Sequence, residues 1–168
     1  MSLVCSSCSK TGHLECAVCA CTICKACAHF VGEEAVEMLS PKPEYYALGV
    51  FCSPCFTNKV EPEIAAYAET VARAGEVNVF YKTESKESRF IRRVEKPIKV
   101  KDCSDRDDVL MKLAFVAASR GFNILLDVEA GSEKVHMAGW QTSNWHGVAV
   151  PATVDPAKLN RRILGTPN

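Results

Sequence analysis

Cysteine carries most of the chemistry this sequence could perform. Eight of its ten cysteines fall in C-x2-C pairs: Cys5 with Cys8, Cys16 with Cys19, Cys24 with Cys27, and Cys52 with Cys55. The gaps between pairs are seven, four and twenty-four residues, and Cys21 stands alone inside the four-residue gap. Each pair places two sulfurs on one tight turn, where a single cation can take both. Two pairs complete a tetrahedral four-thiolate shell of the kind structural zinc prefers, with no position left open for a substrate. The eight paired cysteines therefore predict two closed sites and two zinc ions per chain. Catalysis is not expected there, because no H-E-x-x-H or similar acid–base pair accompanies the cysteines. His13 and His29 read as surface histidines beside complete shells.

The bulk composition agrees with that reading. At 168 residues and 48% hydrophobic content, the chain can form one or two small domains with a real core. Lys and Arg number 20 and so do Asp and Glu, which gives no global pull toward nucleic acid or a membrane surface. No apolar run approaches the roughly 18 residues a membrane-spanning helix needs. The opening residues lack a basic stretch followed by an apolar core, so no secretory signal is expected. Ten cysteines then fit metal ligation in a reducing, cytoplasmic setting better than a disulfide framework.

Residues 1–60 are too short a module to fold on apolar burial alone, so metal must supply much of the folding energy. Between the third and fourth pairs, Glu33 to Leu39 has helix-favouring composition and stops at Ser40-Pro41-Lys42-Pro43. Tyr45 to Phe51 returns as an apolar stretch to the last pair. A linking helix is expected over 61–75, with Pro62 in its first turn, Ile64, Tyr67, Ala68 and Val71 on one stripe, and Gly75 at its end.

The cysteine order, with Ile23 before Cys24, Val50-Phe51 before Cys52 and Phe56 after Cys55, resembles the FYVE zinc finger. The resemblance implies a treble-clef fold with cross-brace ligation. Cys5, Cys8, Cys24 and Cys27 would hold one zinc; Cys16, Cys19, Cys52 and Cys55 would hold the other. Cys21 would be a spare hairpin residue. Phosphoinositide-binding members of that family carry Arg and His around the third cysteine, whereas this chain has Gly12-His13-Leu14-Glu15-Cys16-Ala17. The family's tryptophan-containing motif ahead of the first cysteine has no counterpart either. Residues 1–60 hold four Lys, no Arg and five Glu. With eight thiolates and two Zn²⁺ their net charge is about −5, which repels an anionic headgroup. Membrane targeting through a phosphoinositide stays only as an alternative.

A second register remains open. Taking Cys21 as a ligand and Cys16 as the spare gives a spacing similar to RING domains, which implies a ubiquitin-ligase component. Ser6-Ser7 stands where such a domain wants an aliphatic residue, and no Trp lies between Cys27 and Cys52. B-box spacing fits the first six cysteines, but residues 28–40 lack its closing histidines.

Beyond Gly75 cysteine nearly vanishes and alternation begins, which predicts a second domain over 76–168. Val77 to Lys82 reads as a strand, and Arg89 to Lys101 as another, bent at Pro97. Ser104-Asp105-Arg106-Asp107 starts a helix whose buried stripe is Val109, Leu113, Val116 and Ala117, ended by Gly121. Asn123 to Val128 is a compact apolar strand. Val135 to Trp140 and Trp145 to Val150 form a hairpin around Gln141 to Asn144. Asp155-Pro156 caps a last short helix bearing Leu159 and Ile163. The order β-β-α-β-β-β predicts an α+β layer of one helix on an antiparallel sheet. The stretch from Asp107 to Val150 resembles the YbjQ/dodecin-like small α+β proteins, which implies sheet-mediated homo-oligomers and no catalytic residues.

Three features in this half could carry function. Residues 82–101 hold eight Lys or Arg against three Glu, which could track phosphates but reads more simply as a solvated strand face. Trp140 and Trp145 could stack on a base or sugar, but read more simply as a cross-strand pair closing the hairpin. Asp127 and Glu129 share a strand face and could do paired acid work, but read as surface charges. Cys103 reads as a half-buried residue before the helix. The chain as a whole is thus expected to be a non-enzymatic, zinc-stabilised module that binds protein partners through its α+β surface or sheet edge.

Overall fold

The structure is a computed structural model and describes residues 4–84, 86, 88–137 and 140–157. It is an α+β protein that divides into two compact units, Met1–Glu69 and Thr70–Asn168. No helix among the described residues is long and apolar enough to cross a membrane.

The first unit is built from short pieces. A hairpin of β1 (Leu14–Glu15) and β2 (Thr22–Ile23) is followed by β3 (Ala28–Phe30), which pairs antiparallel with β4 (Val50–Cys52). The helix expected over 33–39 is only a 3₁₀ turn, Glu33–Val36. Seven residues stopped by Ser40-Pro41 fall below the length at which a helix sustains its own nucleation. The apolar stretch from Tyr45 divides into α1 (Tyr45–Leu48) and β4 at Gly49, whose φ of +63° ends the helix. A Cβ there would sit 2.9 Å from the Val31 carbonyl oxygen, so glycine serves both the turn and the approach of β3.

The last cysteine pair spans α2 (Ser53–Cys55), and a π-helical turn, Phe56–Val60, leads into α3 (Glu61–Gly75). Two apolar clusters hold this unit. One is made of the cysteines around fully buried Ile23; the other joins Val36, Tyr46, Phe51 and Val60, with Ile64 and Tyr67 of α3 against it. Glu63 ties α3 to α1, accepting hydrogen bonds from Tyr45 (2.6 Å) and Tyr46 (3.1 Å).

In the second unit β5 (Asn78–Tyr81), β6 (Ile98–Cys103), β7 (Ile124–Met137) and β8 (Trp140–Ala152) form one sheet in the order β5-β7-β8-β6. Three expectations are corrected. First, β5 runs parallel to β7, so the sheet is mixed rather than antiparallel throughout. Second, the strand expected at 123–128 and the start of the one expected at 135–140 belong to one strand, β7. A bulge after Leu126, with Asp127 at φ +51°, absorbs the break, and Gly131 stays in register opposite His146. Third, Gln141 to Asn144 lie within β8, paired with His136 to Glu133, so the expected turn is not there. Trp140 pairs with Met137 and Trp145 with Ser132, five positions apart on one strand, so they do not close the hairpin together.

The strand expected from Arg89 begins only at Ile98. The preceding segment instead brings Phe90 and Ile91 into a cluster with Phe80, Ile124, Leu126 and Ala152. Along β8, Val150 and Ala152 face opposite to Gly147. This cluster therefore lies on the sheet face away from α4 (Arg106–Ser119), because Gly147 meets that helix. A Cβ at Gly147 would collide with Val109 Cγ1, so glycine is what lets α4 seat on β8. Asp105 caps α4 by accepting from the Asp108 backbone N–H (2.8 Å), and Val109, Leu113 and Ala117 are fully buried. Cys103 is buried too, more completely than the sequence suggests. The last expected helix, with Leu159 and Ile163, falls outside the described residues.

Candidate metal centres

The four cysteine pairs sit on turns of similar construction. After Cys8 the chain closes on itself, with Ser9 N–H donating to the Cys5 carbonyl (3.1 Å). After Cys19 the same bond recurs from Ala20 to Cys16 (2.9 Å). Both closing residues are left-handed, Ser9 at φ +61° and Ala20 at φ +58°, a region where side chains other than glycine are strained. The third pair flanks a 3₁₀ turn closed by Cys27 N–H to Cys24 O (3.0 Å), and the fourth spans α2 with Pro54 inside it.

Backbone bonds between distant turns decide which pairs meet. Ser6 N–H reaches Thr22 O (2.9 Å), which brings the first turn to the strand leading into Cys24. Ala17 N–H reaches Val50 O (2.8 Å), which brings the second turn to the strand leading into Cys52. Cys5, Cys8, Cys24 and Cys27 accordingly form one group, and Cys16, Cys19, Cys52 and Cys55 the other. Within each group every sulfur lies within 4.8 Å of the others. The pairs alternate, first with third and second with fourth, as in a cross-brace.

The spacing of the sulfurs suits a metal shell. A tetrahedron with zinc–sulfur bonds of about 2.3 Å has edges of about 3.8 Å. Cys8 and Cys24 approach to 3.5 Å and Cys19 and Cys52 to 3.7 Å, and none of the ten cysteines forms a disulfide. Backbone N–H groups point at the buried sulfurs, Ser7 at Cys5 (3.5 Å) and Cys52 at Cys16 (3.4 Å), as a thiolate ligand requires.

Electrostatics inside each group is divided. Backbone N–H groups of Cys24 and Ser7 pull the Cys5 thiol down to about 6. Burial works to raise Cys16, but the N–H groups of Cys52, Cys19 and Val18 prevail and bring it to about 6. Cys24 is lowered by the Cys8 side chain and Cys19 chiefly by the Cys21 backbone. Their neighbours move the opposite way: Cys27 goes up to about 12 beside Cys8 and Cys24, burial pushes Cys55 up to about 11, and burial raises Cys52. Sulfurs this close cannot all carry negative charge unaided. A divalent cation at the centre would remove the conflict and release the remaining protons.

Cys21 stands outside both groups. Its Sγ accepts from Ser6 Oγ at 3.4 Å, and Cys16 fills the position that the RING-type register gives to Cys21. Neither histidine joins a group. His13 is exposed; His29 stacks on Phe56 (4.3 Å between centroids, 7° between planes) and its Nε2 lies 3.2 Å from Ser53 Oγ, bracing the last cysteine turn. In the second unit the candidate acid pair is taken up by cations. Asp127 receives Arg93 at 2.8 Å and Glu129 receives Lys82 at 2.6 Å. Compared with known proteins, the chain matches no family model, no curated protein and no solved structure. Its candidate chemistry therefore rests on the two four-cysteine groups themselves.

Proposed function

We propose that residues 1–60 form a FYVE-like, treble-clef finger holding two structural zinc ions, and that this finger is a protein-binding module joined through the helix over 61–75 to an α+β domain over 76–168. Cys5, Cys8, Cys24 and Cys27 hold one ion; Cys16, Cys19, Cys52 and Cys55 hold the other. The single observation that carries the reading is the alternate pairing of two closed four-sulfur groups, which leaves a zinc ion with no open position. The role of the metal is to fold a unit whose apolar clusters are small, at about 10–16 kcal/mol of binding energy per site. Two apolar side chains, Phe30 at 56% and Leu48 at 71% exposure, flank the Val31–Gly49 backbone bond and offer a partner an apolar contact. The acidic, arginine-free surroundings oppose an anionic lipid.

Native mass spectrometry counts metals and subunits together. Two zinc ions per chain are expected, one after Cys16→Ser and two after Cys21→Ser. A different wild-type count, or loss of an ion only in Cys21→Ser, would reject the assignment. A chelator should abolish the fold of the first unit while the second keeps its own thermal transition. Self-association through the α+β domain is read by light scattering, where a strict monomer at high concentration would rule it out.

A further inference from the structure

The second unit carries a cavity of about 730 Å³ on the α4 face of the sheet, beside the start of that helix. Its floor is small and apolar, Val128 and Ala130 of β7, and its walls bring together residues that are far apart in the chain. Tyr81 closes β5, Trp145 lies in β8, and Arg106 opens α4. The Arg106 guanidinium lies over the Tyr81 ring, 4.9 Å from its centroid, and no acidic partner holds it among the described residues. Trp145 is only partly buried. Lys82 stands at the rim, where the chain's most basic stretch begins, and it pairs with Glu129, an exposed carboxylate that also lines the cavity and that an incoming anion can displace.

Aromatic faces, a guanidinium and an ammonium around an apolar floor are complementary to one ligand chemistry, a planar ring that carries negative charge. We propose that this cavity binds a nucleobase with its phosphate, the base stacked against Trp145 or Tyr81 and the phosphate held by Arg106 and Lys82. The volume lies within the range of pockets that enclose one small ligand. Base–aromatic stacking tolerates any base because every base has a π-face. In the sequence the basic stretch and the tryptophan each admit a nucleic-acid reading but have a simpler one alone; the fold brings Lys82 and Trp145 to one cavity. A free nucleotide and a single-stranded nucleic acid both present this chemistry.

The test uses the full zinc-loaded chain. Fluorescence anisotropy with a fluorescein-labelled 12-nucleotide single strand reads one source, and calorimetry with AMP reads the other, with inorganic phosphate as competitor. Arg106→Glu changes an exposed side chain, and Trp145→Leu removes the stacking wall. Each is expected to weaken binding roughly ten- to a hundredfold, and Arg106→Gln should lower the salt slope by about one. Tighter binding of the strand than of AMP identifies nucleic acid; equal binding identifies the mononucleotide. No binding of either probe, binding that Arg106→Glu leaves unchanged, or competition by phosphate as effective as by AMP would overturn the proposal. Unchanged thermal unfolding of Arg106→Glu separates its effect from misfolding.

Discussion

Arg93 grips Asp127 with both arms of its guanidinium, Nε to Oδ2 at 2.8 Å and Nη2 to Oδ1 at 2.9 Å. Its remaining donors hold the segment before it. Nη1 reaches the carbonyls of Ser88 and Ile91, and Nη2 reaches Ser88 Oγ, all at 2.9 Å. Asp127 occupies the left-handed position of the β7 bulge, so the bulge presents the carboxylate that fastens residues 88–93 across the sheet. Both side chains are about 30% exposed, which leaves the pair partly screened.

Removing this clamp should loosen the Phe90–Ile91 cover. Arg93→Lys keeps the charge and loses the fork, so it should destabilise the second unit by about 1–2 kcal/mol; Arg93→Ala should cost about 2–3 kcal/mol. Urea unfolding measures both. The pH dependence follows from Asp127, whose carboxyl is held below its ordinary value chiefly by the Arg93 hydrogen bonds. A folded-state value below the unfolded one, near about 3.9, contributes stability above that pH and loses it as pH falls through the folded value. Asp127→Asn should therefore flatten the acid limb of the stability profile below about pH 4.

Glu63 predicts an alkaline signature in the first unit. Burial, then the bond to Glu63, pushes the Tyr46 phenol up to about 12 and raises Tyr45 as well. The stability they contribute is full below the unfolded phenol value near about 10 and lost as pH rises through the folded values. Absorbance at the phenolate band should show two late-titrating tyrosines, both moved earlier in Glu63→Gln. That variant should also lose about 1–2 kcal/mol of stability.

The left-handed turns offer a gain. Ala20 at φ +58° bears strain of roughly 1–2 kcal/mol that glycine does not, offset in part by the freedom glycine has when unfolded. Ala20→Gly should be neutral or up to about 1 kcal/mol stabilising, whereas Ala20→Val, branched at Cβ, should weaken zinc retention at the second group. Competition with a chromogenic chelator ranks the three proteins.

Gly147 tests the seating of α4. Gly147→Ala drives a methyl into Val109 and should cost about 1–3 kcal/mol as overpacking. Combining it with Val109→Ala should recover part of that loss, and a double-mutant cycle measures how much.

Much of the first unit is legible in the cysteine ladder, because its turns are local: C-x2-C fixes two sulfurs within four residues whatever surrounds them. The helix from Glu61 to Gly75 and the N-cap of α4 at Asp105 are legible for the same reason, being set by neighbours three or four residues away. Strands were harder. The joined β7, the parallel β5 and the place of Gln141 to Asn144 inside β8 depend on distant partners, more than forty residues apart in places, as Val79 with Leu125 shows. Glycine and aspartate at 127–131 look like punctuation until a bulge and a cross-strand partner absorb them.

What the sequence determined by itself is the stock of candidate ligands, four cysteine pairs and one spare cysteine, and the acidic, arginine-free composition around them. Only the tertiary structure decided that Cys16 rather than Cys21 completes the second group, that Asp127 and Glu129 are matched to Arg93 and Lys82, and that Trp145 shares a cavity with Tyr81 and Arg106. The physical reason is range. Turn geometry and charge composition act within a few residues or as sums over the chain, whereas ligand register and pocket chemistry depend on which distant backbone groups close their hydrogen bonds on one another.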